Sequence, residues 1–251
     1  MSLLIMFALL SASVMGSSVP ALRLRGGANE QPKTGKVWTV TTFTREHCRF
    51  AWEMPSYFGA YLMPGRAVDP KTIESVMVTM NSINTCPYCT GLHGQLARMA
   101  CTVVDQRSPA VAYAKTFAEQ TGRGEQVRAA FDKLAASVGA GKAGSIRALC
   151  WALLWGKTTG NTINVARGKL VGLKWHKLTL GEVLTFVYYA PFFLVIGVLN
   201  AILTKAPTVP AWFSAIFGGI LVLPQALHIV PLGLVCFALR LIAAPIGGLS
   251  L

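Results

Sequence analysis

Lys71-Thr72-Ile73-Glu74-Ser75-Val76-Met77, followed by Cys86-Pro87-Tyr88-Cys89-Thr90-Gly91-Leu92-His93-Gly94, sets a carboxylate, two thiols and an imidazole at the spacing Glu-(x11)-Cys-x-x-Cys-(x3)-His. On a helix, Cys86 and Cys89 stand at i, i+3 and Cys89 and His93 at i, i+4, so the three project from one face. Glu74 would lie roughly 18 Å from Cys86 along one straight helix, so convergence requires a bend. The sequence provides one. Asp69-Pro70 reads as a helix start, with Asp at the N-cap and Pro at the first helical position, and Ile73, Val76, Met77 and Met80 follow at helical spacing. Asn81-Ser82-Ile83-Asn84-Thr85 interrupts that run, and Asn84 or Thr85 is expected to cap a second helix whose first turn holds Cys86, Pro87 and Tyr88. The prediction is two helices joined by a bend within an all-α fold.

Each of the four groups supplies what another lacks. A thiol with a pKa of about 8.5 is mostly protonated at neutral pH and attacks slowly unless a neighbour takes its proton. His93 can take it, and Glu74 can orient the imidazole. The positive end of the second helix favours thiolate at Cys86, nearer the first turn, whereas His93 favours it at Cys89. The bland reading is a pair of small buried cysteines beside a satisfied histidine. Zinc is another, with Glu74 or Cys101 as the fourth ligand beside Cys86, Cys89 and His93. A c-type haem would need His directly after Cys89, where Thr90 stands. Two apparent phosphate loops fail: Gly141-Lys142 has Ala136 in place of the first Gly, and Gly156-Lys157-Thr158 has Trp151 there.

The quoted stretch resembles the signature of the alkylhydroperoxidase D and carboxymuconolactone decarboxylase superfamily, Glu, eleven residues, Cys-x-x-Cys, three residues, His. A weaker likeness lies in Leu178-Thr179-Leu180-Gly181-Glu182-Val183 and the apolar helix reaching Val198-Leu199-Asn200, similar to the closing helix of those domains, which often reads Asn-Arg where this chain has Asn200-Ala201. The resemblance covers about residues 40 to 204. It implies an all-α, commonly oligomeric domain with thiol peroxidase (peroxiredoxin-type) activity and no flavin, haem or metal. By that resemblance Cys89 attacks the hydroperoxide, Cys86 resolves the sulfenic acid to a disulfide, and Glu74 and His93 relay protons. The reductant implied is a thioredoxin- or lipoyl-type thiol. Some members carry a further relay histidine just before the second cysteine, and this chain has Tyr88 there. A general disulfide reductase and a non-catalytic, membrane-associated redox sensor or scaffold are therefore the alternatives. The decarboxylase branch does not depend on a Cys-x-x-Cys pair, which weighs against that activity.

The composition frames these readings. Of 251 residues, 53% are hydrophobic and only 13% charged, and after Val183 only Lys205 and Arg240 carry charge. Residues 1 to 16 form an apolar run ending in small residues, read as a secretory signal. Residues 17 to 39 are a basic presequence or linker, with a plastid as one onward destination. The net charge of +13 is spread singly over Arg98, Arg107, Lys115, Arg123 and others, with no dense stripe, so nucleic acid is not an expected partner. Helical patterns run over Ala110 to Glu119, Glu125 to Ser137 and Ser145 to Leu154, separated by Gly122-Arg123-Gly124 and Gly139-Ala140-Gly141. Val37 to Phe43 is the one stretch with a strand-like alternation. Cys101 and Cys150 fall in apolar helical patterns and are expected to be buried free thiols. Pairing among Cys48, Cys101, Cys150 and Cys236 cannot be read from spacing.

The end of the chain is the most apolar. Glu182 to Thr204 has the length of a bilayer span, but its likeness to a closing domain helix favours one buried all round against its own subunit and a neighbour. Residues 205 to 251 form an apolar extension that Pro207, Pro210, Pro224, Pro231 and Pro245 cut into pieces of about thirteen residues or fewer. Read across Pro224, Ala211 to Val230 makes a kinked membrane anchor; otherwise the pieces are short helices in the oligomer or the membrane interface.

Overall fold

Thr39 ends an extended entry segment: its hydroxyl accepts the Thr42 N–H at 3.2 Å, and Thr42 Oγ1 accepts the Thr39 N–H at 2.9 Å. This reciprocal cap opens helix α1 (Val40–Leu62) in the computed structural model, which describes residues 36–83 and 86–243. The strand-like stretch is therefore helical from Val40. Its start is pinned instead by Trp38, buried with its N–H on Thr162 Oγ1 at 2.9 Å and its indole N–H on Thr159 Oγ1 at 3.1 Å. The signal-like segment and most of the basic linker, residues 1–35, lie outside the described residues.

The other helices are α2 (Pro70–Ile83), α3 (Pro87–Met99), α4 (Pro109–Glu119), α5 (Glu125–Val138), α6 (Ala140–Val171), α7 (Leu180–Leu203) and α8 (Ala211–Ala243), with one 3₁₀ turn at Trp175–Lys177. Among the described residues there is no strand, and the fold is all-α as the pattern predicts. The expected helices over 110–119 and 125–137 are α4 and α5. The third expected helix is far longer: of Gly139-Ala140-Gly141 only Gly139 breaks the chain, at φ 85°, and Ala140 already opens α6.

Every residue from Ala148 to Gly160 of α6 is buried, because α1, α2, α3, α4, α5 and α7 surround it. His47 of α1 ties this centre together. Its Nδ1–H donates to Phe43 O at 2.7 Å, and its Nε2 accepts from the Tyr189 hydroxyl of α7 at 2.8 Å and from the Trp155 indole of α6 at 3.2 Å. Burial lowers its pKa to about 4, against the pull of the Phe43 carbonyl, so it stays neutral at physiological pH.

The apolar end departs most from expectation. Thr179 and Glu182 form a capping box at the start of α7, and Lys169 Nζ holds both Glu182 oxygens at 2.7 and 2.8 Å. The helix is not buried all round. Val183, Leu184, Val187, Tyr188, Val195, Val198 and Ile202 form an exposed stripe at three- and four-residue spacing. Among its described residues the extension holds one helix of 33 residues that runs through Pro224 and Pro231, not a set of short pieces. Each interior proline costs about 3 kcal/mol in an isolated helix, and packing along α1 offsets that cost here. Glycines permit the close approach. A Cβ at Gly218 would stand 2.8 Å from the Tyr61 ring, and one at Gly233 would overlap Ala51 and meet His47 O at 3.1 Å.

Candidate functional site

Helices α2 and α3 are the two expected helices, and they pack against each other as a hairpin. Asp69 caps α2 through Oδ2, which accepts the Thr72 N–H at 3.0 Å, and Pro70 is its first residue. Asn84 and Thr85 lie outside the described residues, and the N-cap of α3 is Cys86, extended at φ −145°, with Pro87 at the first helical position. Glu74 lies about two and a half turns before the end of α2 and His93 about two turns into α3, so an antiparallel pair sets them opposite each other. His93 Nδ1 is 3.3 Å from Glu74 Oε2. A carboxylate partner fixes the proton on Nδ1 and leaves Nε2 as the acceptor, oriented as a base. Asn81 Nδ2 donates to Cys89 O at 3.3 Å and closes the hairpin from its other side.

The sulfurs rest against α6. A Cβ at Gly160 would stand 2.7 Å from Cys86 Sγ, and one at Gly156 would stand 3.5 Å from Cys89 Sγ, so two glycines one turn apart form the slot that accepts the pair. Between them Lys157 is only 2% exposed, and its ammonium donates to the carbonyl of Met80 in the last turn of α2. The cation thus sits where the C-terminal end of α2 meets the cysteine end of α3. Burial lowers its pKa to about 7, with Cys89 and Cys86 pulling it back up. A lysine and a thiol that share one low-dielectric site exist either as the neutral pair or as ammonium and thiolate.

The two thiols are unequal. Burial raises the Cys86 pKa, but the hydrogen bond from the Cys89 thiol, the N–H groups of Cys89 and Tyr88, and the Lys157 charge outweigh it, and the value falls below that of an ordinary thiol. Those N–H groups face the sulfur without meeting the geometry of a full side-chain cap. Cys89 shifts the other way, held well above the usual range by donating its proton to Cys86 and by burial. Of the two thiols, Cys86 at the helix end is thus the more acidic. His93 is paired with Glu74.

Access favours the other sulfur. Cys86 is fully buried, whereas Cys89 lines a cavity of about 50 Å³ together with Glu74 and His93. That space holds a few water-sized molecules or a hydroperoxide group. The Tyr57 and Tyr61 phenols share its polar side. Burial raises both of their pKa values, so they remain donors, and Tyr57 OH donates to Gln225 Oε1 of α8 at 2.7 Å. Tyr88, where some similar sequences carry a relay histidine, directs its hydroxyl to Asn164 Oδ1 at 3.3 Å.

The structure therefore brings Glu74, Cys86, Cys89 and His93 together and adds Lys157, Gly156, Gly160, Tyr57, Tyr61 and Gln225. A lone lysine flanked by glycines inside an apolar helical run is the signal that could have found Lys157. Asn200 also reaches the site's support: a Cβ at Gly91 of α3 would overlap its amide. All six cysteines are free thiols, Cys150 buried as expected but Cys101 exposed, because it follows the end of α3 in a left-handed conformation at φ 49°. That placement removes Cys101 as a zinc ligand, and among the described residues no group of three or more His, Cys, Asp and Glu side chains is arranged to hold a metal ion. No protein-family model matches the chain, and no curated protein or solved structure matches it either.

Proposed function

We propose that this chain is a thiol-dependent peroxidase. The observation that carries the reading is a cavity-lining Cys89 that shares its space with the Glu74–His93 pair and rests on a buried, more acidic Cys86. A hydroperoxide ROOH enters beside Cys89. The Cys89 proton passes to Cys86 or to His93 Nε2, and the Cys89 thiolate attacks the outer peroxide oxygen. The O–O bond breaks, ROH leaves with a proton from the relay, and Cys89 becomes a sulfenic acid. Cys86 then attacks that sulfur, water leaves, and a Cys86–Cys89 disulfide remains, the dithiol having given up two electrons. An external dithiol of the thioredoxin or lipoyl type restores it. Lys157 offsets whichever sulfur is charged.

The site's deep burial favours one second reading, a redox sensor in which disulfide formation alters shape without turnover. Steady-state hydroperoxide consumption with excess dihydrolipoamide or dithiothreitol separates the two. The peroxidase consumes many equivalents per chain, with every equivalent of hydroperoxide matched by one of dithiol. A single equivalent followed by arrest identifies the sensor.

A further inference from the structure

Helices α7 and α8 run antiparallel. Tyr188 OH donates to His228 O at 3.1 Å, and further along Ile196 and Leu221 share the wall of the Cys89 cavity. Their backbones scarcely approach, and the seam between them is bridged by side chains, His228 against Tyr188 and Phe192. The cavity lies in that seam. Gly218, Leu221 and Gln225 close it from α8, and Phe192, Phe193 and Ile196 from α7.

Outside the seam, the exposed residues among those described from Val183 to Leu203 and from Trp212 to Leu239 are apolar apart from the Tyr188 hydroxyl. On α8, beside the α7 stripe, Ile216, Ile220, Leu223, Leu227 and Leu234 are likewise exposed. No charge interrupts either helix from Val183 to Leu203 or from Ala211 to Leu239. Such a plate far exceeds the scattered apolar residues of an ordinary surface. An interface with a second copy would carry a polar rim and about ten hydrogen bonds, and this plate offers almost none. With 24 and 33 residues the helices are ~36 and ~50 Å long, but their inner faces stay packed on α6 and α1, so the plate suits immersion along a bilayer better than a crossing of it. Because α7 and α8 are antiparallel, exposed Lys174 and Lys177 before α7 and exposed Arg240 near the end of α8 fall at the same end of the pair, where basic side chains suit anionic headgroups.

We propose that the α7–α8 plate sits in one leaflet of a lipid bilayer and that the seam delivers a hydroperoxide borne on a membrane acyl chain to Cys89. This rests on the peroxidase reading and names its substrate. The cavity takes the hydroperoxide group and a few neighbouring atoms, and the chain lies in the seam. The reaction is the one above, with lipid-OOH reduced to lipid-OH while Cys89 and Cys86 are oxidised to the disulfide.

The test uses the full chain with excess dithiol and two substrates, hydrogen peroxide in solution and phosphatidylcholine hydroperoxide in vesicles of phosphatidylcholine and phosphatidylglycerol. Flotation with the same vesicles reports binding. The expected result is co-flotation and a kcat/KM at least about tenfold higher for the vesicle-borne substrate. Leu184→Lys with Leu234→Lys, on the plate but away from the cavity, should abolish flotation and the preference while hydrogen peroxide turnover stays within about twofold. Turnover of hydrogen peroxide without preference for the lipid substrate, or preference without flotation, overturns the bilayer proposal and leaves the peroxidase standing. Failure with both substrates by a chain whose Cys86 and Cys89 are reduced overturns both.

Discussion

Cys89→Ser abolishes hydroperoxide turnover, and Cys86→Ser reduces one equivalent per chain and then stalls. The asymmetry follows from where the sulfurs lie. Cys89 borders the cavity with His93 and Glu74, so the peroxide oxygen can reach it; Cys86 is fully buried between α3 and Gly160 and can reach only Cys89. A serine at 89 leaves the more acidic thiol intact but inaccessible, and acidity without access gives no reaction. A serine at 86 removes the resolving sulfur, so the Cys89 sulfenic acid persists and reacts with a dimedone-type probe. Turnover and probe labelling of the two variants check this. Wild-type turnover in Cys89→Ser, or probe labelling at Cys86 in that variant, would reverse the roles.

Lys157→Met moves the thiolate titration to higher pH and slows the reaction with hydroperoxide at neutral pH by about tenfold or more. The sign is fixed by charge. An ammonium beside two sulfurs favours the thiolate; its removal disfavours it, so the variant's activity is low at pH 7 and recovers as the pH rises through the shifted value. Met is close in volume to the lysine stem and removes a buried charge, so the fold loses little beyond one donor to the Met80 carbonyl. Thiolate absorbance near 240 nm, followed against pH in both proteins, measures the shift directly. Coincident titrations would make Lys157 a structural plug.

The two helices of the hairpin were legible because their signals are local. Asp69-Pro70 starts α2, and the spacing of Glu74 from Cys86 demands a bend, although α2 runs on through Asn81, Ser82 and Ile83, where the polar stretch was expected to interrupt it. What the sequence could not display was whatever lies opposite that hairpin. Gly156-Lys157-Thr158 reads as a failed phosphate loop, and only packing α6 against α3 turns the same residues into a slot and a counter-charge. The cap at Cys86 was missed because Asn84 and Thr85 are better capping residues by side-chain chemistry, whereas Pro87 fixes the helix start one residue after Cys86. The continuity of α8 through two prolines was likewise hidden, since local rules break a helix there and a long antiparallel contact with α1 through Gly218 and Gly233 restores it. Cys101 followed an apolar helical pattern past the point where α3 ends, and so was assigned to a core it does not enter.

Treating the fully reduced chain with one equivalent of hydroperoxide, then counting thiols and mapping disulfides by mass spectrometry, tests most directly whether these side chains form one redox centre. The account predicts the loss of two thiols and a single Cys86–Cys89 bridge, with Cys101 untouched despite its exposure. Oxidation confined to Cys101, with Cys86 and Cys89 still reduced, would contradict it.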